Sequence, residues 1–470
     1  MIPVRGFEGK TVAVFGLGRT GLTAARALLA GKAKVIAWDE KASGRDAAQA
    51  EGLTVKDLWA ADWSGISALM LSPGVPLTHP KPHWVVEKAQ AAGVEILGDI
   101  ELFARTVNAA PAHKRPKVAA ITGTNGKSTT TALLGHICRS AGRDTRIGGN
   151  IGYGVLSLDD MHGGAVYVLE TSSYQLDLTS SLKADAAVIL NISPDHLDRH
   201  GGMEGYIAAK RRILLNQDKG DTAIIGVDDP WCQQICTEIT AANRRTIWPI
   251  SAGRAMGRGV YALQGVLYDA TGDRVTEVAD LLRARSLPGR HNWQNAAAAY
   301  AAARALGISM ADAAEGLRTF PGLAHRMETV ATLGQVRFVN DSKATNADAA
   351  RQAMSSYPRF YWIAGGVPKA GGIDSLTDLF PRIAKAYLIG DAAPAFGAAL
   401  KDRAPSKECG TLEAAVMAAY ADAKSSGEDA VVLLSPACAS FDQFADFEAR
   451  GEAFRAAVQS LSKAPKGATA

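Results

Sequence analysis

The sequence predicts an α/β protein of three domains: Rossmann-like at the N-terminus, P-loop type with a small β portion in the centre, and Rossmann-like at the C-terminus. Three observations predict it. Residues 11–15 form a short apolar run that leads into Gly16-Leu17-Gly18-Arg19-Thr20-Gly21 and then a helix-type stretch. Residues 117–121 form a second such run, followed by TGTNGKST at 122–129 and a second helix-type stretch. Beyond Leu323, apolar runs again end one after another in polar turns, the alternation that builds parallel sheets. The expected bounds are 1–109, 110–322 and 323–470.

The first domain opens with the strand at 11–15 and a helix through Leu29. A second strand at 34–38 follows and ends at Asp39, the acid expected about twenty positions beyond such a glycine turn. The pattern suits any diphosphate and does not by itself select a nicotinamide cofactor. Residues 68–71 lead into Ser72-Pro73-Gly74, another strand-to-turn edge. The domain closes with 98–103, and 108–116, rich in Pro, Ala, His and Lys, read as a linker.

The central domain, of the ATPase type, is organised around TGTNGKST. Its glycines let backbone N–H groups converge on a phosphate chain, and the helix that follows adds its positive end. Gly123, Thr124, Asn125, Gly126, Lys127, Ser128 and Thr129 make the cradle. Lys127 reaches for β/γ-phosphates and Ser128 offers a hydroxyl to Mg²⁺. The loop is a variant, because Ile121 stands where the usual pattern has its first glycine. Residues 148–152 read as a tight polar turn. A strand at 165–169 ends in Glu170, and one at 186–190 leads to Asp195, His196 and Asp198. Acids and a histidine at the carboxyl ends of parallel strands are candidate ligands for a metal or its water, although each alone also fits a cap or a surface group. Residues 206–215 read as a helix carrying Lys210 and Arg211. On the residues alone, Lys210 fits a solvent-facing lysine. Residues 248–282 read as the small β portion. Residues 287–295 open an Ala-rich helix that runs to Leu306.

The third domain reads as strands at 336–339, 360–363, 386–389 and 430–434. Their turns hold Asn340 to Asn346, Gly365-Gly366, Gly390-Asp391 and Ser435 to Phe444. A frayed tail is expected at 463–470.

Composition narrows the class. With 47% hydrophobic and 21% charged residues over 470 positions, the chain has the make-up of a soluble globular protein. A net charge of +4 gives no basic arm for nucleic acid. No apolar run approaches the ~18 residues of a membrane span, and no signal-like core precedes residue 11. The five cysteines are scattered without a CxxC pair, as expected of reduced thiols in the cytoplasm.

TGTNGKST, ETSSYQL, NISPDHLD, GRHNWQNAAAA, GLAHRME, NDSKATN and SPACASFDQF occur in this order. Together they resemble the Mur ligases of peptidoglycan precursor synthesis, and the likeness spans residues 16 to 454. NDSKATN and SPACASFDQF resemble the branch that adds D-glutamate. The resemblance implies a monomeric cytoplasmic enzyme acting on UDP-N-acetylmuramoyl-L-alanine, D-glutamate and ATP with Mg²⁺. It implies that Lys127, Lys210, His196 and Glu170 are catalytic, and that Ser128, Glu170, His196 and Lys210, as a carbamate, serve the metal. Asn292, Asn295, Arg326 and Asp341 join the cradle residues in binding ATP. The UDP-substrate falls to Gly18, Arg19, Thr20, Asp39, Ser72, Pro73, Gly74, Asn150, Ser172 and Gln175. D-glutamate falls to Lys343, Thr345, Lys369, Ser440 and Phe441. One departure is visible: the family's Asp-Thr-Arg at the end of the second strand is Asp39-Glu40-Lys41 here.

Three rivals are weighed. A nicotinamide-dependent oxidoreductase leaves TGTNGKST unexplained. A folylpolyglutamate- or cyanophycin-type ligase shares the central domain but predicts no NDSKATN. A nucleotide-sensing module has no need of Glu170, His196 and Lys210.

Overall fold

The computed structural model describes residues 1–284, 286–369 and 371–463. Its contacts divide the chain into two compact units, Met1–Arg283 with Asn292–Phe320, and Ala284–His291 with Pro321–Ala470. Three sheets fill these two units, so the first and second expected domains share one body.

The first sheet holds β1 (Thr11–Phe15), β2 (Lys34–Trp38), β3 (Ile66–Leu71) and β4 (Glu95–Leu97) in the order β2-β1-β3-β4, all parallel. Four of the five β1 residues are buried, as in a strand covered on both faces. At its end Gly16 turns with φ +88°, and a Cβ there would lie 2.8 Å from Ser72 Cβ. The glycine thus lets the turns after β1 and β3 approach each other.

The second sheet has nine strands. In chain order they are β5 (Lys117–Thr122), β6 (Asp144–Gly149), β7 (Ala165–Glu170), β8 (Ala186–Ile189), β9 (Thr222–Gly226), β10 (Thr246–Ser251), β11 (Gly259–Leu263), β12 (Val266–Ala270) and β13 (Thr276–Asp280). The spatial order is β13-β12-β11-β10-β9-β8-β5-β7-β6, parallel from β11 to β6 and antiparallel only in β11-β12-β13. The expected small β portion is therefore an extension of the main sheet. The expected polar turn at 148–152 begins inside β6, an edge strand whose polar residues hide the strand pattern. One apolar core runs from Val12 and Val14 of the first sheet to Leu169 and Ile189 of the second.

In the second unit, β14 (Glu328–Leu333), β15 (Val336–Asn340), β16 (Phe360–Gly365), β17 (Ile383–Ile389), β18 (Ser406–Gly410) and β19 (Ala430–Leu434) form a sheet of order β14-β15-β19-β16-β17-β18. Only the β14-β15 pair is antiparallel. Two apolar clusters cover its faces, one around Trp362 and Phe380 and one around Phe338 and Phe454. Of the tail expected at 463–470, residues 464–470 lie outside the described residues.

Candidate active site

In the second sheet, β8, β5 and β7 are neighbours, so their carboxyl ends bring the turn at Asn191, the phosphate loop and Glu170 side by side. The loop opens the helix Lys127–Ser140. Gly126 is its N-cap in the left-handed region, and a Cβ there would sit 2.1 Å from Asn295 Oδ1. A side chain at 126 would therefore be strained and also strike the buried Asn295. Asn295 takes the Thr130 hydroxyl at 3.3 Å and donates to Asn292 Oδ1 at 3.0 Å. These two asparagines, expected among the ATP contacts, thus pack directly behind the loop.

Lys127 donates to the carbonyls of Gly123 and Thr124, both at 2.8 Å. Lys210 is buried, and its amine donates to the same Gly123 carbonyl at 2.9 Å. The solvent-facing reading of Lys210 is therefore wrong: the helix Met203–Arg211 turns this residue inward. Burial, and then the Lys127 charge, hold its amine well below the ordinary lysine range. A lysine here is readily neutral.

Glu170 is equally buried, at the end of β7. Asn150 Nδ2 donates to its Oε1 at 2.8 Å, while its Oε2 is buried without a partner. A buried carboxylate oxygen left unpaired is costly unless something else takes it up. His196 sits in the left-handed region at φ 53° and packs on the Tyr174 ring. Burial, reinforced by Lys127 and Lys210 against the pull of Asp195, keeps its imidazole below the usual value. Among the described residues no three His, Cys, Asp or Glu side chains converge as a metal centre. The expected metal set holds only two such residues, Glu170 and His196, beside Ser128 and Lys210.

Nine of the ten residues expected to meet the UDP-substrate line one cleft of about 370 Å³ in the first unit. Gly18, Arg19, Thr20, Ser72, Pro73 and Gly74 come from the first sheet, and Asn150, Ser172 and Gln175 from the second. Asp39 is the exception. Its Oδ2 accepts the Leu17 N–H at 2.5 Å, so it shapes the glycine turn from behind. Glu40 accepts from Trp84 Nε1 at 2.9 Å, in place of the threonine of the family pattern. Ser172 and Gln175 form a capping box on the helix Ser173–Asp177, and Gln175 Nε2 also reaches both oxygens of Asp99, at 3.3 and 3.2 Å. Burial raises Asp99 to about 6. Sequence reasoning left out Tyr174, which lines the same cleft within ETSSYQL.

In the second unit, the turns after β15, β19 and β16 are neighbours. Asp341 is buried and accepts from Ser435 Oγ at 2.8 Å and Met327 N at 3.2 Å. Burial pushes its carboxyl up to about 7. Lys343 Nζ lies 3.8 Å from the Phe447 ring centroid. Ser440 is buried, Phe441 is exposed, and Lys369 lies two residues beyond Val367, whose N–H meets Ala439 O at 2.9 Å. A residue missed from the sequence ties these turns together. The buried Arg450 guanidinium donates to Ser342 O at 2.9 Å, Ser342 Oγ at 3.0 Å and Cys438 O at 3.0 Å. Nothing in its helical stretch distinguishes it from a surface arginine.

The folds and the cradle define a nucleotide-using α/β enzyme, and comparison with known proteins narrows the class. Three family models match: Mur ligase MurD-like, N-terminal domain (10–98), Mur ligase middle domain (121–303), and Mur ligase, glutamate ligase domain (325–438). A UDP-N-acetylmuramoylalanine–D-glutamate ligase from Caulobacter sp. (strain K31) is 82% identical over 98% of this chain and 99% of its own. Proteins of the same name from Phenylobacterium zucineum and Chelativorans sp. are 78% and 54% identical, each over 98% of both chains. Among solved structures, UDP-N-acetylmuramate–alanine ligase MurC from Thermotoga maritima shares the fold at TM-score 0.57 and 16% identity, over 96% of this chain and 99% of that one. The chain belongs to the Mur ligase family.

Proposed function

We propose that this chain joins D-glutamate to UDP-N-acetylmuramoyl-L-alanine with ATP, giving ADP and phosphate, in cytoplasmic peptidoglycan precursor synthesis. The relatives' shared name supports the substrates. The observation that carries the reading is the pair of lysine amines on the Gly123 carbonyl, at the end of the strand beside the one that delivers Glu170. Residues 1–109 hold the UDP-substrate, 110–322 the ATP and 323–470 the amino acid. The chain works as a monomer, and among the described residues no helix is long and apolar enough to cross a membrane.

A carboxylate is a poor electrophile, so the L-alanyl carboxylate first attacks the γ-phosphorus of ATP and ADP leaves. The loop N–H groups of 123–129 and Lys127 hold the charge of the transferring group. Asn150, Ser172 and Gln175 orient the alanyl end, while Gly18, Arg19, Thr20 and Ser72 to Gly74 hold the rest of the UDP-substrate, with Asp39 behind. Asn292, Asn295, Arg326 and Asp341 complete the ATP contacts. The amine of D-glutamate, positioned by Lys343, Thr345, Lys369, Ser440 and Phe441, then attacks the acyl phosphate. The tetrahedral adduct expels phosphate and the amine gives up its proton.

The family uses Mg²⁺, and the oxygen donors here fit a hard cation: the unpartnered Glu170 Oε2 and the Ser128 hydroxyl at the helix start would hold it, with the His196 imidazole serving it through a water and Lys210 only once carbamoylated. As a neutral amine, Lys210 would add CO₂ and lose a proton to become a carbamate, whose oxygens would help hold the cation. Bound there, Mg²⁺ supplies neutralisation of the phosphoryl oxygens.

Phosphate release with UDP-N-acetylmuramoyl-L-alanine, ATP and a panel of D- and L-amino acids tests the reading. D-glutamate should be the substrate and D-alanine a very poor one, because a site built for a second carboxylate leaves polar groups unpaired without it. Equal rates with D-alanine and D-glutamate would sink the assignment.

A further inference from the structure

Asn191 follows β8 at the start of NISPDHLD and has been given no role so far. Its carboxamide is fully engaged. Oδ1 accepts the Asn125 N–H at 2.8 Å, and Nδ2 donates to the Asn125 carbonyl at 3.2 Å and to Gln294 Oε1 at 2.9 Å. Its own carbonyl takes the Thr124 N–H at 2.9 Å. The side chain thus pairs with both main-chain groups of the residue at the crest of the phosphate loop. Gln294 Nε2 donates onward to Asp228 Oδ2 at 3.1 Å, and Asp228 accepts the Ser251 hydroxyl at 2.5 Å.

This chain has one polarity. A carboxylate only accepts, so Asp228 obliges Gln294 to present its NH₂ on that side and its oxygen to Asn191. Gln294 in turn obliges Asn191 to present its NH₂, which leaves the Asn191 oxygen for the Asn125 N–H. Flipping either amide would set donor against donor. Gln294 also lies on the helix that carries Asn292 and Asn295, so the relay fixes the loop relative to that helix.

We propose that Asn191 is a positioning residue for phosphoryl transfer: with Gln294 and Asp228 it sets the loop's crest, and with it the alignment of Lys127. The inference rests on the nucleotide role proposed above. Asn191→Asp is the sharpest probe, being the same size but placing an oxygen where Asn125 O and Gln294 Oε1 need a donor. It should lower kcat about tenfold or more and raise KM for ATP about tenfold, the scale of one misplaced pair of hydrogen bonds. KM for the UDP-substrate and for D-glutamate should stay within about twofold, a split that a general loss of structure would not give. Asn191→Ala should be no worse than Asn191→Asp, because it removes the pairing without adding repulsion. If neither variant folds, Gln294→Glu, which sets two carboxylates together at the far end, should still raise KM for ATP. Calorimetric titration with a non-hydrolysable ATP analogue separates the two readings. No binding by the wild-type chain would overturn the nucleotide role itself. Wild-type binding with unchanged kcat and KM for ATP in Asn191→Asp would overturn only the positioning role.

Discussion

Lys127 and Lys210 share an acceptor, yet their surroundings give them opposite tasks. Lys127 opens a helix at the cradle, where the proposed function sets a fixed charge against phosphate, and Lys127→Ala should cut turnover roughly 10³-fold, measured as phosphate release. Lys210 is buried where a cation is disfavoured. Lys210→Ala should be nearly inactive and regain activity with added acetate or formate, whereas Lys210→Arg should not. Full activity of Lys210→Ala in CO₂-depleted buffer would remove the carbamate role. Asp341 gives a pH signature of stability. Its folded value is raised to about 7, against about 3.9 for an unfolded aspartate. The folded state therefore takes up a proton, and the stability this group contributes is full below the unfolded value and lost as pH rises through 7. The unfolding temperature of Asp341→Asn relative to wild type should accordingly rise between about pH 5 and about pH 8. A difference that does not change with pH would contradict the burial argument. Nothing in the sequence marks Lys210 or Asp341 as buried: burial is decided by which way a helix turns and which strands flank a turn.

At the level of elements, the strands missed from the sequence sit mostly at sheet edges. Glu328–Leu333, Asp144–Gly149 and Ser406–Gly410 are each the last or first strand of a sheet, and Ser406–Gly410 has no buried residue at all. Only inner strands, covered on both faces, show the continuous apolar run that makes a strand readable. The turns that carry chemistry follow such inner strands, and for that reason the cradle, NISPDHLD and NDSKATN were legible. What joins the turns was not, because long-range hydrogen bonds leave no local pattern. Arg450 illustrates the cost of losing such a tie. Arg450→Met would strand the buried carbonyls of Ser342 and Cys438, each worth about 1–3 kcal/mol when left unpaired. It should lower the unfolding temperature and raise KM for D-glutamate more than KM for the UDP-substrate. Arg450→Lys should recover only part of both losses, because an ammonium cannot reproduce the planar fork. Equal KM effects on both substrates would count against the tie.

At the level of the whole molecule, the cleft proposed for the UDP-substrate draws its walls from two sheets that share one core. In amide hydrogen exchange on the intact chain, the UDP-substrate without nucleotide should slow exchange at 16–20 and at 150–175 together. Protection confined to the first stretch would show that the second sheet takes no part in binding. The seam between these walls also constrains how such a sequence can drift. Gln175 caps its own helix and at the same time feeds both oxygens of Asp99, a buried carboxyl held near 6. A glutamate at 175 would face the aspartate acid to acid, and an asparagine at 99 would keep one oxygen for the glutamine but set its own NH₂ beside the glutamine's. Each single replacement is a poor step, while Asp99→Asn with Gln175→Glu restores a donor facing an acceptor. Among descendants of this sequence, positions 99 and 175 should therefore change as a pair, inherited as one unit across two domains.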